Sequence, residues 1–182
     1  MYMIKMAKII KEIMEGTLSL PPSPPAIIRQ VELPKTNTIV LNKKQVEDAY
    51  IITATIWQEA KGEGEKGMHG VLNVIMNRSF GDFRNARNVA LDPSQFSVWN
   101  KVINPTGKSI NIKNQCESKT IEGCEMYPIA VKLVDDAMKN KLVDITKGAL
   151  FFYNPYKVRP SWANGMTKTI TIGNHRFCKP KK

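Results

Sequence analysis

The chain predicts an α+β domain, with three or more core helices followed by a small antiparallel sheet near the C-terminus. Three observations lead there. Apolar residues recur at spacings of three and four in three separate stretches, about 43–60, 66–78 and 125–141, which is the period of helices with one buried face. The tail changes period, and TKTITIGNHRF reads as two strands joined at Gly173 and Asn174, with Ile170 and Ile172 facing in and Thr169 and Thr171 facing out. The length of 182 residues, 42% hydrophobic and 24% charged, supports one core of useful size and cramps a second domain.

Taken in order, residues 1–41 read as an arm. Met1 to Gly16 carries a weak helical pattern, and LSLPPSPPAIIRQVELPK favours extended polyproline geometry, which excludes regular helix or central strand. A plain tether and a segment that docks on a larger assembly both fit. The core domain is expected over 42–182, opening at Asn42, an N-cap that Gln45 completes as a capping box. The first helix then places Val46, Ala49, Tyr50, Thr53, Ile56 or Trp57, and Ala60 on one side. Gly62 and Gly64 break it with a turn, and a second helix starts near Lys66 with Met68, Val71, Leu72, Ile75 and Met76 on one face. Residues 79–101 read as loop with a helical turn near Ala86 to Leu91, and 104–123 as a polar excursion. In the third helix Pro128 suits the first turn, where a missing N–H costs little. GALFFYNP reads as a short buried strand ending in a turn at Asn154 and Pro155.

Bulk properties narrow the partners. With 27 Lys and Arg against 16 Asp and Glu, the net charge of +11 draws the chain to polyanions, among them nucleic acid, anionic membrane and the bacterial cell wall. The basic residues are scattered, which argues against a dedicated nucleic-acid groove. No apolar run is long enough for a transmembrane segment, and the first residues mix Lys and Glu among hydrophobes, so no signal peptide is expected. Three cysteines are an odd count; Cys116 and Cys124 either close a loop disulfide or stay as thiols, with Cys178 left over. Two histidines are too few for an ordinary zinc site.

The chemistry points to the elbow between the first two helices. Glu59 sits at the C-terminal end of the first helix, where the dipole disfavours a negative charge, and apolar Ile56 and Trp57 add desolvation. Both effects favour a protonated carboxyl of the kind a general acid needs. A second group mixes amides and aromatic rings, Gln95, Phe96, Ser97 and Trp99, and such groups suit sugars by hydrogen bonding and stacking. Phe96 and Trp99 equally suit a core. Asp82, Asp92 and Glu63 are the carboxylates from which a second catalytic acid would have to come.

Read together and in order, WQEAKGE, GVLNVIMNR, QFSVWN, GALFFYNP and IGNHRF resemble the SleB-like cell-wall hydrolases, a family of spore-cortex-lytic enzymes and phage lysins, over about residues 45–178. The resemblance implies a lysozyme-like fold and cleavage of the peptidoglycan glycan strand between N-acetylmuramic acid and N-acetylglucosamine, with no metal or cofactor. It implies a lytic transglycosylase whose acid is Glu59, with Glu63 in support. The groove would run between Gln95, Phe96, Ser97 and Trp99 on one side and Tyr153, Asn154, Trp162 and His175 on the other; for His175 a bond from sheet to helix pair is the alternative. The chain departs from the family at Tyr153, where His is usual, and at Lys61, where Arg is usual. A phage lysin or virion-associated enzyme, docked through residues 1–41 and acting at the cell wall or periplasm from a phage particle or host cytoplasm, fits this reading. A hydrolytic muramidase with two carboxylates and a non-catalytic virion or wall-binding protein are the alternatives.

Overall fold

The computed structural model describes residues 41–93, 95, 96, 99 and 126–181. The arm up to residue 40, Ser97, Cys116 and Cys124 lie outside the described residues, together with the expectations placed on them. The chain divides into two units, 1–46 and 47–182. In the first, the capping box is formed as expected: the Gln45 N–H donates to Asn42 Oδ1 and the Asn42 N–H donates to Gln45 Oε1, each at 2.9 Å. Two backbone donors that a helix start leaves unpaired are thereby used. Helix α1 (Lys43–Ala60) follows.

Within the second unit α1 buries Ile52, Ala54, Ile56, Trp57 and Ala60. A 3-10 turn, Lys61–Glu63, leads into α2 (Gly64–Arg78). That start precedes Lys66 because Gly62 stays within the 3-10 turn and Gly64 alone of the two glycines takes a left-handed φ, 69°. One glycine reverses the chain, and the next residues are free to wind. Helix α2 buries Met68, Val71, Leu72, Val74 and Ile75.

A full helix, α3 (Phe83–Leu91), stands where the sequence promised only a turn near 86–91. Its start is set by Asp82, whose carboxylate accepts from the Arg84 N–H at 3.0 Å and so supplies the N-cap. Ala86 and Ala90 are the small residues it presents to the core. Buried Asp48 on α1 faces Arg87 Nε of α3 at 3.6 Å. Helix α4 (Tyr127–Met138) carries Pro128 in its first turn and buries Ala130, Leu133, Val134 and Ala137.

The sheet has three antiparallel strands in the order β1 (Phe151–Tyr153), β3 (His175–Pro180), β2 (Met166–Ile172). Phe152 lies opposite Phe177, Tyr153 opposite Arg176, and Ile172 opposite His175. Phe177 is fully buried against Val74 of α2 and Ala149. A Cβ on Gly70 would lie 2.6 Å from Phe177 Cζ, so α2 rests directly on β3 only because that position is glycine. The expected alternation on β2 is broken by a register shift between Lys168 and Ile170. Thr169 is therefore half-buried, not outward, and its hydroxyl donates to Phe177 O at 3.2 Å. Strand β1 is half-buried along its length, less enclosed than its run of aromatics suggested.

Candidate active site

The candidate site is centred on the last turn of α1, which carries Glu59. Thr55 and Glu59 are one turn apart and share a helix face. The Thr55 hydroxyl donates to Ile51 O at 2.7 Å and accepts from Trp99 Nε1 at 2.9 Å. Trp99 is thus fastened to α1 one turn before Glu59. Glu59 itself is half-buried, between fully buried Trp57 and Ala60. The Lys61 ammonium stands 3.9 Å from the Trp57 ring centroid, and its burial lowers the Lys61 pKa.

Glu63 ties the elbow to the sheet. Its carboxylate accepts the Asn174 backbone N–H at 2.8 Å and the Asn174 side-chain amide at 3.0 Å. Those bonds, the backbone one first, hold the carboxyl below its ordinary range. Two glycines make the approach possible. A side chain on Gly67 would strike Glu63 Cβ, and one on Gly173 would strike Glu63 Oε2. Gly173 also has φ 54°, the left-handed conformation of the hairpin turn.

Next to this strut is His175, 8% exposed, with its ring 5.2 Å from Phe152 and 6.4 Å from Phe177. Burial pushes the imidazole below the usual range, against the pull of Glu63. Its Nδ1 has no hydrogen-bond partner among the described residues. Nδ1 therefore makes no bond to the helix pair, and the ring packs against Phe152 and Phe177 of the sheet. Lys157 lies close enough to lower the pKa of both Glu63 and His175.

The remaining sequence-derived residues divide. Phe96 is 1% exposed and Trp99 7%, both in the main hydrophobic cluster. No open ring face is left on Phe96 for a sugar, so its place is in the core. Gln95 is exposed and accepts from Arg78 Nη1 at 2.6 Å. Tyr153 and Trp162 meet edge to face at 5.5 Å, and Trp162, 40% exposed, also lies 5.5 Å from Phe151. Asn154 is a turn residue: its Oδ1 accepts the Tyr156 N–H at 2.9 Å, and its carbonyl accepts from Lys157 and Val158. Asp82 is occupied as the cap of α3 and by the Arg84 guanidinium, whose hydrogen bonds hold its pKa down.

Sequence reasoning assigned no role to the polar stripe of α2. Asn73 Oδ1 accepts the Ile145 N–H at 2.9 Å, Asn77 Nδ2 donates to Ala149 O at 3.0 Å, and Arg78 Nε donates to Leu150 O at 2.6 Å. Asp144 completes the strap by accepting from the Thr146 and Gly148 N–H groups. Together these groups deliver the chain into β1. The available signal was the spacing: two asparagines four apart on an otherwise apolar helix face need partners.

Residues 62–178 match the family described as Cell Wall Hydrolase. The chain belongs to the cell wall hydrolase family. The match begins three residues after Glu59 and takes in Glu63, the α2 strap, β1, β2 and β3 as far as Cys178. Among solved structures, this cell wall hydrolase is similar to the catalytic domain of the germination-specific lytic transglycosylase SleB from Bacillus anthracis, with 25% identity and a TM-score of 0.55 over 77% of this chain and 100% of that one. It is also similar to the catalytic domain of the Bacillus cereus SleB protein, with 25% identity and a TM-score of 0.54 over 80% of this chain and 100% of that one. A search of curated proteins found no match. The α+β fold is that of the SleB catalytic domains, lysozyme-like in class, and the chain is an enzyme of cell-wall cleavage.

Proposed function

We propose that the chain is a lytic transglycosylase that cuts the peptidoglycan glycan strand between N-acetylmuramic acid and N-acetylglucosamine, with Glu59 as its acid and base. The observation that carries this reading is that two of the three candidate second carboxylates, Glu63 and Asp82, are committed to other partners. An ordinary glycosidase needs two free carboxyl groups about 5 to 9 Å apart across the scissile bond. Glu63 is bound by two N–H donors of Asn174, and Asp82 by the start of α3 and Arg84. A carboxylate held ionised by hydrogen bonds is a poor proton donor and a weak base. A mechanism with one working acid suits that arrangement, and it accords with the Bacillus anthracis relative, a lytic transglycosylase.

In this mechanism Glu59 gives its proton to the glycosidic oxygen as positive charge develops at the muramic anomeric carbon. The C6 hydroxyl of the same sugar then attacks that carbon and passes its proton to the Glu59 carboxylate. A 1,6-anhydro ring forms, no water is consumed, and the acid is restored. Glu63 and Asn174 hold the elbow against the hairpin, Trp99 bonds to α1 through Thr55, and Gln95, Tyr153 and Trp162 supply the sugar contacts. Residues 42–182 form the catalytic part.

Mass spectrometry of the fragments released from purified peptidoglycan tests the reading. Anhydro-muramic ends are expected. Reducing ends alone would replace the transglycosylase by a hydrolase with a second carboxylate, with Asp92 the first to examine.

A further inference from the structure

On the outer side of the sheet, the face opposite Phe152 and Phe177, a cleft of about 610 Å3 opens between β1, β3 and the loop 154–165. Tyr153, Tyr156, Arg159, Asn164 and Arg176 line it, and no carboxylate does among the described residues. Arg176 donates through Nη1 to the Tyr153 hydroxyl at 3.1 Å, while its Nε is buried and has no hydrogen-bond partner among the described residues. The second guanidinium, Arg159, is exposed on a loop braced by the three bonds to Asn154. The cleft thus offers two guanidinium groups, that of Arg176 bonded to Tyr153 and that of Arg159 exposed, with a phenol, a side-chain amide and tyrosine rings beside them.

We propose that this cleft is a carboxylate-binding site for the acidic peptide stems that the glycan strand carries. The proposal rests on the reading of the substrate above. Paired guanidinium forks match the geometry of a carboxylate and grip it bidentately. Asn164 offers an amide of the kind that pairs with peptide bonds, and Tyr153 and Tyr156 offer flat apolar faces to short side chains. Continuity with the catalytic elbow runs through Lys157, which precedes Arg159 by two residues and acts on Glu63 and His175. The peptide branch carries the negative charge that the cleft lacks.

The test is calorimetric titration of the full chain with a soluble stem peptide bearing free carboxylates and with the same peptide amidated. The free acid is expected to bind at least about tenfold more tightly, the scale of one charge-assisted hydrogen bond. Arg159→Gln should abolish that preference, and because Arg159 is exposed its replacement leaves the packing alone. Should the variant fail to fold, the acid-against-amide comparison on the unaltered chain decides the matter. Equal binding of acid and amide, binding of neither, or stronger competition by inorganic phosphate than by the peptide would each overturn the proposal. Cleavage of strands without discrimination between acid and amide would refute this site and leave the transglycosylase reading standing. Binding of the acid by a chain that leaves strands intact would refute the cleavage reading alone.

Discussion

Replacing Gly173 by alanine attacks the joint between elbow and hairpin in two ways. The residue has φ 54°, and a non-glycine residue there costs roughly 1–2 kcal/mol. The new Cβ would also strike Glu63 Oε2, driving the carboxylate off Asn174 and breaking both of its hydrogen bonds. Bonds to charged groups are worth about 1.5–3 kcal/mol when protected; both of these are solvent-exposed, so about 0.5–1 kcal/mol each is apt. The sum is about 2–4 kcal/mol, or a fall in Tm of about 5–15 °C for a chain of this size. Glu63→Ala should cost about 1–2 kcal/mol, the hydrogen-bond part alone. The double variant should cost no more than Gly173→Ala, because the strut is lost once, which leaves a coupling of about 1–2 kcal/mol. Thermal and urea unfolding of the four proteins measure this cycle. Strict additivity, or a Gly173→Ala protein as stable as the parent, would refute the strut.

Acid should destabilise the fold in two steps. His175 is held below its ordinary 6.5, so the unfolded chain takes up that proton first, and stability present above about pH 6.5 declines as pH falls toward the folded-state value. Glu63 is held below its ordinary 4.5, so its contribution is complete above that pH and is lost as pH falls through the folded-state value. His175→Phe, which keeps an aromatic ring between Phe152 and Phe177, should flatten the upper limb of a Tm–pH curve and spare the lower one; an unchanged upper limb would show that His175 does not titrate as its burial requires. Phe96→Ala should cost about 3–5 kcal/mol in unfolding experiments, as deletion of a fully buried ring does. A Phe96→Ala protein of parental stability but weakened strand binding would return Phe96 to the sugar groove.

Helix period, the Asn42 capping box, the Pro128 start and the Gly-Asn hairpin were legible because each rests on local chemistry. The elements missed depend on contacts distant in sequence or on a single cap. Helix α3 needed the Asp82 side chain to outweigh a loop-like composition, and the β2 irregularity is a property of the pairing with β3. The helical elbow that holds Glu59 was readable from its glycines, but the partner of Glu63 lies 111 residues away, and no spacing rule reaches that far. Phe96, Trp99 and His175 were ambiguous for a related reason: aromatic and amide groups near a site serve equally to pack it or to touch a ligand, and burial decides between them. Arg159 and Arg176 attracted no attention in a chain with many scattered cations. They stand out once the sheet brings them to one cleft.

The central claim is that a single carboxyl group at the end of α1 performs the cleavage. The direct measurement is the rate of release of soluble fragments from purified peptidoglycan by Glu59→Gln, alongside its Tm. A loss of at least about a thousandfold in rate with Tm within about 2 °C of the parent is expected, since the amide keeps the shape and removes the transferable proton. A Glu59→Gln protein that still solubilises the wall at the parental rate would contradict the account.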